Sequence, residues 1–155
     1  MVMYAQLNVP FKNEPTIPEY TTIPNTQIAI IPPAHFHFME DMGGFLHVGT
    51  SSSVQVQEIT GTPYTLIVLG LTEEHFKSQG VKLISKEDVI TKNNEKGIIF
   101  KVSFEVEDYE FERLMFFTGD YNRTIWINAN YPVVVKDMLE VVLKESLLTA
   151  KFIKE

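Results

Sequence analysis

The chain has 155 residues, a formal net charge of −7, 45% hydrophobic and 21% charged residues, and no cysteine. That is one soluble domain's worth of chain with enough apolar content for a real core. It excludes disulfides, thiolate metal sites and cysteine nucleophiles, and the missing basic stripe excludes nucleic acid as a partner. No apolar run reaches the length of a membrane span.

The N-terminus, MVMYAQ, has neither the charged nor the apolar region of a complete signal peptide. It reads as a plain start, with a cytoplasmic protein, or as the remnant of a signal, with a periplasmic or secreted one. Pro10, Pro15, Pro18 and Pro24 follow with little periodicity. Proline fixes φ and removes a donor, so residues 1–25 read as an extended arm and 26–155 as a single domain.

Gln27 to Ile31 is a short apolar strand ended by Pro32-Pro33. His35 and His37 lie two apart, on one side of an extended chain, with Phe36 and Phe38 on the other. His47 follows the Gly43-Gly44 turn. Three imidazoles can hold a transition metal, although this spacing matches no metal motif; the plainer reading is histidines on loop edges. Gly44 to Ser51 mimics a phosphate loop, but Thr50 stands where the lysine belongs, and the stretch follows no strand and opens no helix. Val54 and Val56 alternate with Gln55 and Gln57 as a second strand.

Pro63 suits a first helical position, and Leu66 to Leu69 predict a buried turn ending at Gly70. Thr72 caps the helix Glu73 to Gln79, which Gly80 stops; His75 is a solvated position on it. Val81 to Thr91 reads as a long strand whose hydrophobic parity switches, implying a bulge near Ser85-Lys86.

Gly97 to Tyr131 is the centre of the chain. Ile98, Phe100, Val102, Phe104 and Val106 share one parity; Tyr109, Phe111, Met115 and Phe117 share another. Leu114 and Phe116 make both faces of that second strand apolar. Ile125, Ile127 and Ala129 lie opposite Trp126, Asn128 and Asn130. The connections at Glu107-Asp108 and Gly119 to Asn122 are too short for anything but antiparallel hairpins. Pro132 then opens a helix whose apolar positions are Val135, Met138, Leu139, Val142, Leu143 and Leu147. Glu140 and Lys144 form a favourable pair on its polar side.

The sequence shows no catalytic motif of the nucleophile-elbow, zincin or dinucleotide-binding kind. Asp108, Glu110 and Glu112 read as acids of a solvated strand face. Arg113 and Arg123 are the only arginines; one of them can hold an anion, and the default for each is a surface ion pair. Asn122-Arg123-Thr124 fits a glycosylation sequon in a turn. Trp126 beside Asn128 and Asn130 is either a half-wet binding platform or core under a helix.

Together Gly80 to Val89, Lys96-Gly97 with Lys101-Val102-Ser103, Gly119-Asp120 before Ile125 to Pro132, and Leu147 to Phe152 resemble the PsbP-like family. This is the fold of the photosystem II extrinsic subunit and of the yeast Mog-type Ran-binding import factor, shared by bacterial envelope proteins of unassigned role. The resemblance spans about residues 27–153 and is one of pattern, without a catalytic signature. It implies an α+β fold, an antiparallel sheet with helices on both faces, and action by binding other proteins. It carries over no functional residue and implies no cofactor. The expectation is therefore a non-enzymatic accessory domain that binds another protein. The alternatives are a small-ligand or metal-binding protein using His35, His37 and His47 or a pocket near Trp126, and an enzyme with scattered residues. Oligomeric state is left open.

Overall fold

A computed structural model describes residues 19–153. The expected arm therefore lies largely outside the described residues. Its last part does not: β1 (Thr21–Thr22) is paired and Ile23 is buried in the core.

Seven strands form one antiparallel sheet in the order β3-β4-β5-β9-β8-β7-β6. They are β3 (His37–Met39), β4 (Gly44–His47), β5 (Ser52–Thr60), β6 (Lys82–Ile90), β7 (Lys96–Val106), β8 (Tyr109–Asp120) and β9 (Arg123–Pro132). The two hairpins of the centre have two-residue connections. Glu107 and Asp108 both take positive φ, 49° and 73°, the primed turn that matches strand twist. Tyr121-Asn122 makes the second, because Asp120 and Arg123 still pair. The bulge in β6 falls between Leu83 and Ser85, at Ile84, one step before the place its parity implied.

Both faces of the sheet bear helices, as period two with apolar residues of both parities requires. On one face α3 (Lys136–Leu147) lays Leu139, Leu143 and Leu147 on Ile99, Leu114, Phe116, Ile127 and Tyr131. Beside α3, a separate three-stranded sheet adds Ile28 and Ile30 to the same core; β2 (Ile28–Ile30) runs between β1 and β10 (Lys151–Phe152). On the other face α1 (Tyr64–Ile67) and α2 (Glu73–Ser78) cover Ile98, Phe100, Val102, Met115 and Phe117. The Thr72 hydroxyl accepts from the His75 N–H at 3.1 Å, and Gly80 turns left-handed at φ 74°, so α2 is capped at both ends as its residues foretell.

Four expectations are corrected. Leu66 and Leu69 are 58% and 72% exposed, because α1 is a single turn that presents Tyr64 and Ile67, with Val68 just after it, to the sheet. Met138 and Val142 are exposed, since the apolar seam runs from Val135, just before α3, through Leu139, Leu143 and Leu147. Glu140 and Lys144 do not pair with each other; Glu140 meets Lys101, and Lys144 meets Glu87 at 2.9 Å, so both ends of that pair tie α3 to the sheet instead. Glu112 is buried rather than solvated. Tyr131 donates to its Oε1 at 2.7 Å and Lys136 to its Oε2 at 3.2 Å, two partners that lie far along the chain.

Candidate functional site

Antiparallel register decides which side chains share a face. Trp126, Asn128 and Asn130 have the parity of β9 that faces α1 and α2. Reading the ladder outward, Gln57 pairs with Trp126, Gln55 with Asn128 and Ser53 with Asn130. On the other side Trp126 pairs with Phe117, Asn128 with Met115 and Asn130 with Arg113. The two short helices sit over β6, β7, the adjoining part of β8 and, through α1, the Trp126 end of β9. The rest of this face is open: Gln55 and Gln57 are exposed, and Ser53, Asn128, Asn130 and Arg113 are half-buried.

The open half is ordered by its own contacts. Trp126 stands at the boundary, its ring stacked on Phe117 with centroids 5.7 Å apart and 16° between planes. Its indole N–H donates to Asn128 Oδ1 at 3.0 Å. It is thus neither core under a helix nor a free platform, but the edge of the core. Asn130 Nδ2 donates to Ser53 Oγ at 3.3 Å, and Asn130 Oδ1 accepts from Arg113 Nε at 2.6 Å. The Arg113 guanidinium lies 4.8 Å from the centre of the Phe104 ring, itself stacked with Phe111. Burial lowers the Arg113 pKa from its ordinary value, the mark of a charge held partly out of water.

The two arginines differ. Arg123 makes the expected ion pair, with Asp120 at 2.7 Å, and hydrogen bonds from its guanidinium hold the Asp120 carboxyl below its ordinary pKa. Arg113 has no carboxylate partner among the described residues. Its place in the site is missed when it is read as a surface cation. The available signal is parity: Arg113 shares the phase of Met115 and Phe117, and Phe104 that of Phe100.

The histidines do not gather. His35 occupies a turn at φ 69°, which breaks the alternation expected with His37. His37 is exposed on β3; pairing with Leu46, which pairs with Ser53, puts it on the open face. His47 has the opposite parity, with its ring 5.3 Å from Phe36 and its Nδ1 2.8 Å from Thr50 Oγ1. Among the described residues no three histidine, aspartate or glutamate side chains converge as a metal group. No described helix is long and apolar enough to cross a membrane.

A cleft of about 1000 Å³ lies elsewhere, between the small sheet and the β8–β9 turn, lined in part by Tyr20, Glu95, Asp120, Arg123 and Phe152. Its cations are already engaged: Arg123 lies 3.8 Å from the Phe152 ring centre and Lys151 Nζ 4.1 Å from that of Tyr20.

An antiparallel sheet in this strand order, with α3 on one face and α1 and α2 on the other, is a PsbP-like α+β fold. No protein-family model matches the chain, and no curated protein matches its sequence. Solved structures match it. Cyanobacterial PsbP (CyanoP) from Synechocystis sp. PCC 6803 is 11% identical, with a TM-score of 0.59 over 86% of this chain and 91% of that one. LpqN of Mycobacterium tuberculosis, described as involved in cell envelope biogenesis, is 10% identical, with a TM-score of 0.62 over 82% and 83%. A protein of unknown function from Pseudomonas aeruginosa is 14% identical, with a TM-score of 0.52 over 63% and 70%. At these identities the likeness is one of fold.

Proposed function

We propose that this chain is a non-enzymatic accessory domain that binds another protein through the open half of the sheet face that bears Trp126. One observation carries the reading: that half holds aromatic, amide and guanidinium groups in fixed positions while facing solvent, beside a half of the same face that helices cover. Interfaces favour this mixture of an aromatic and an arginine anchor with adaptable amides. The fold neighbours include proteins of accessory or unassigned role, which supports a binding module over an enzyme. A second exposed surface, Val134 just before α3 with Met138 and Val141 on it, is apolar and lacks such positioned polar groups.

The test is affinity capture from an extract of the source cells on three immobilised proteins. These are the native chain, a Gln55→Arg/Gln57→Arg double variant of the open face, and Val141→Arg on α3. A partner kept by the native chain and by Val141→Arg, but lost by the double variant, supports the reading. Equal capture by all three, or loss only with Val141→Arg, refutes it.

A further inference from the structure

Arg113 is a half-buried guanidinium that no carboxylate meets among the described residues. Its Nε–H is spent on Asn130, and Asn130 is itself anchored on Ser53, so the guanidinium is held in one orientation against Phe104. That leaves the Nη edge without a carboxylate among the described residues, although the chain has 20 acidic residues and only 13 basic ones. A partly desolvated cation kept unpaired is a cost to the fold, and a cost of that kind is retained where a ligand removes it.

We propose that Arg113 is a carboxylate receptor: the protein that docks on the open half-face places one aspartate or glutamate side chain on its Nη edge. This inference rests on the docking reading above and names the partner's chemistry. A guanidinium fork accepts a carboxylate through two parallel hydrogen bonds, which a lysine cannot reproduce. The neighbouring groups, Asn128, Asn130 and Ser53, are neutral, so the site matches one negative charge rather than the two of a phosphate. The chain's net charge of −7 opposes polyanions for the same reason. A chain terminus is a poorer fit than a side chain. Terminal carboxylates are captured by free backbone N–H groups, and the backbone of β8 and β9 here is paired on both sides.

The test uses the full chain at neutral pH, ¹⁵N-labelled, titrated with sodium acetate against sodium chloride and sodium phosphate at equal ionic strength. The Arg113 Nε–H and Trp126 indole resonances are followed. Acetate moves both saturably and chloride does not; Arg113→Gln abolishes the saturable response, and Arg113→Lys weakens it about fivefold or more because the fork is lost. No saturable shift with acetate in the native chain overturns the proposal, and so does tighter binding of phosphate than of acetate. If acetate is silent while capture still depends on Gln55 and Gln57, the receptor is wrong and the docking face stands. If acetate binds and capture does not depend on that face, Arg113 remains a carboxylate site and the docking reading falls.

Discussion

The Trp126 indole and the Asn128 side chain, two residues apart on β9, hydrogen-bond to each other at 3.0 Å along one face of the strand. The bond satisfies the one polar atom of a ring otherwise stacked on Phe117 and packed at the rim of the second core. Asn128→Ala removes the acceptor. The expected loss of stability is about 1 kcal/mol, the usual worth of such a bond at a partly wet site. Urea unfolding followed by emission of the single tryptophan measures it. An unchanged emission spectrum in the variant would mean that the indole does not sense Asn128.

Glu112 is 5% exposed and carries both Tyr131 and Lys136. Removing one member of a buried charged network leaves the others unsatisfied, so Glu112→Ala costs about 3 kcal/mol. Glu112→Gln, which keeps an acceptor for the Tyr131 hydroxyl, costs less than Glu112→Ala. Tyr131→Phe removes a neutral donor and costs about 1–2 kcal/mol. Denaturant midpoints of the three variants rank them, and equal midpoints for Glu112→Ala and Tyr131→Phe would show that the carboxylate is solvated after all.

The same cluster sets a pH dependence. Tyr131 is raised above its ordinary 10.0, first by burial and then by Glu112, and Lys136 is raised above 10.5, chiefly by its hydrogen bond to Glu112. In each case the folded state binds the proton more tightly than the unfolded state. Their contribution is therefore complete below pH 10 and declines as pH rises beyond it, for Tyr131 by at most about 1.4 kcal/mol per pH unit. Tyr131→Phe loses its part of that decline. Thermal melts of native and variant protein from pH 8 to 11.5 should converge at the alkaline end; parallel curves would contradict the assignment.

Gly119 sits at φ 150°, where an added Cβ would lie 2.1 Å from the Arg123 carbonyl oxygen. Nothing flexible can move aside, because the clash is with backbone of the β8–β9 hairpin. Gly119→Ala should lower the thermal midpoint far more than Gly61→Ala, whose Cβ would meet nothing within 4 Å. The comparison controls for the positive φ both share, and equal midpoints would remove the close approach.

Much of the fold is legible because strand period and hairpin length are local. Ile98 to Val106, Tyr109 to Phe117 and Ile125 to Asn130 carry their facing in alternate residues, and Thr72 and Gly80 bound α2 by cap chemistry. The misread residues are those whose environment comes from far along the chain. Glu112 looks solvated until Tyr131 and Lys136 reach it, and Met138 looks buried until the width of the groove that receives α3 is known. The three-stranded sheet joins Lys151 to Ala29 across most of the domain, a pairing that no local pattern encodes. On the candidate face, Trp126, Asn128 and Asn130 are visible as a set by parity. Arg113 joins them only through the pairing of β8 with β9, and His35, His37 and His47, near in sequence, are separated by a turn and opposite strand faces.

The proposed docking surface is the open half-face, not α3. A photo-crosslinking residue placed at Gln55, at Gln57 or at Val141 in the source cells tests it directly. A discrete heterologous adduct is expected from Gln55 and Gln57 and none from Val141, with the Gln55 adduct lost on Arg113→Gln. An adduct at Val141 alone, or none at either glutamine, would contradict it.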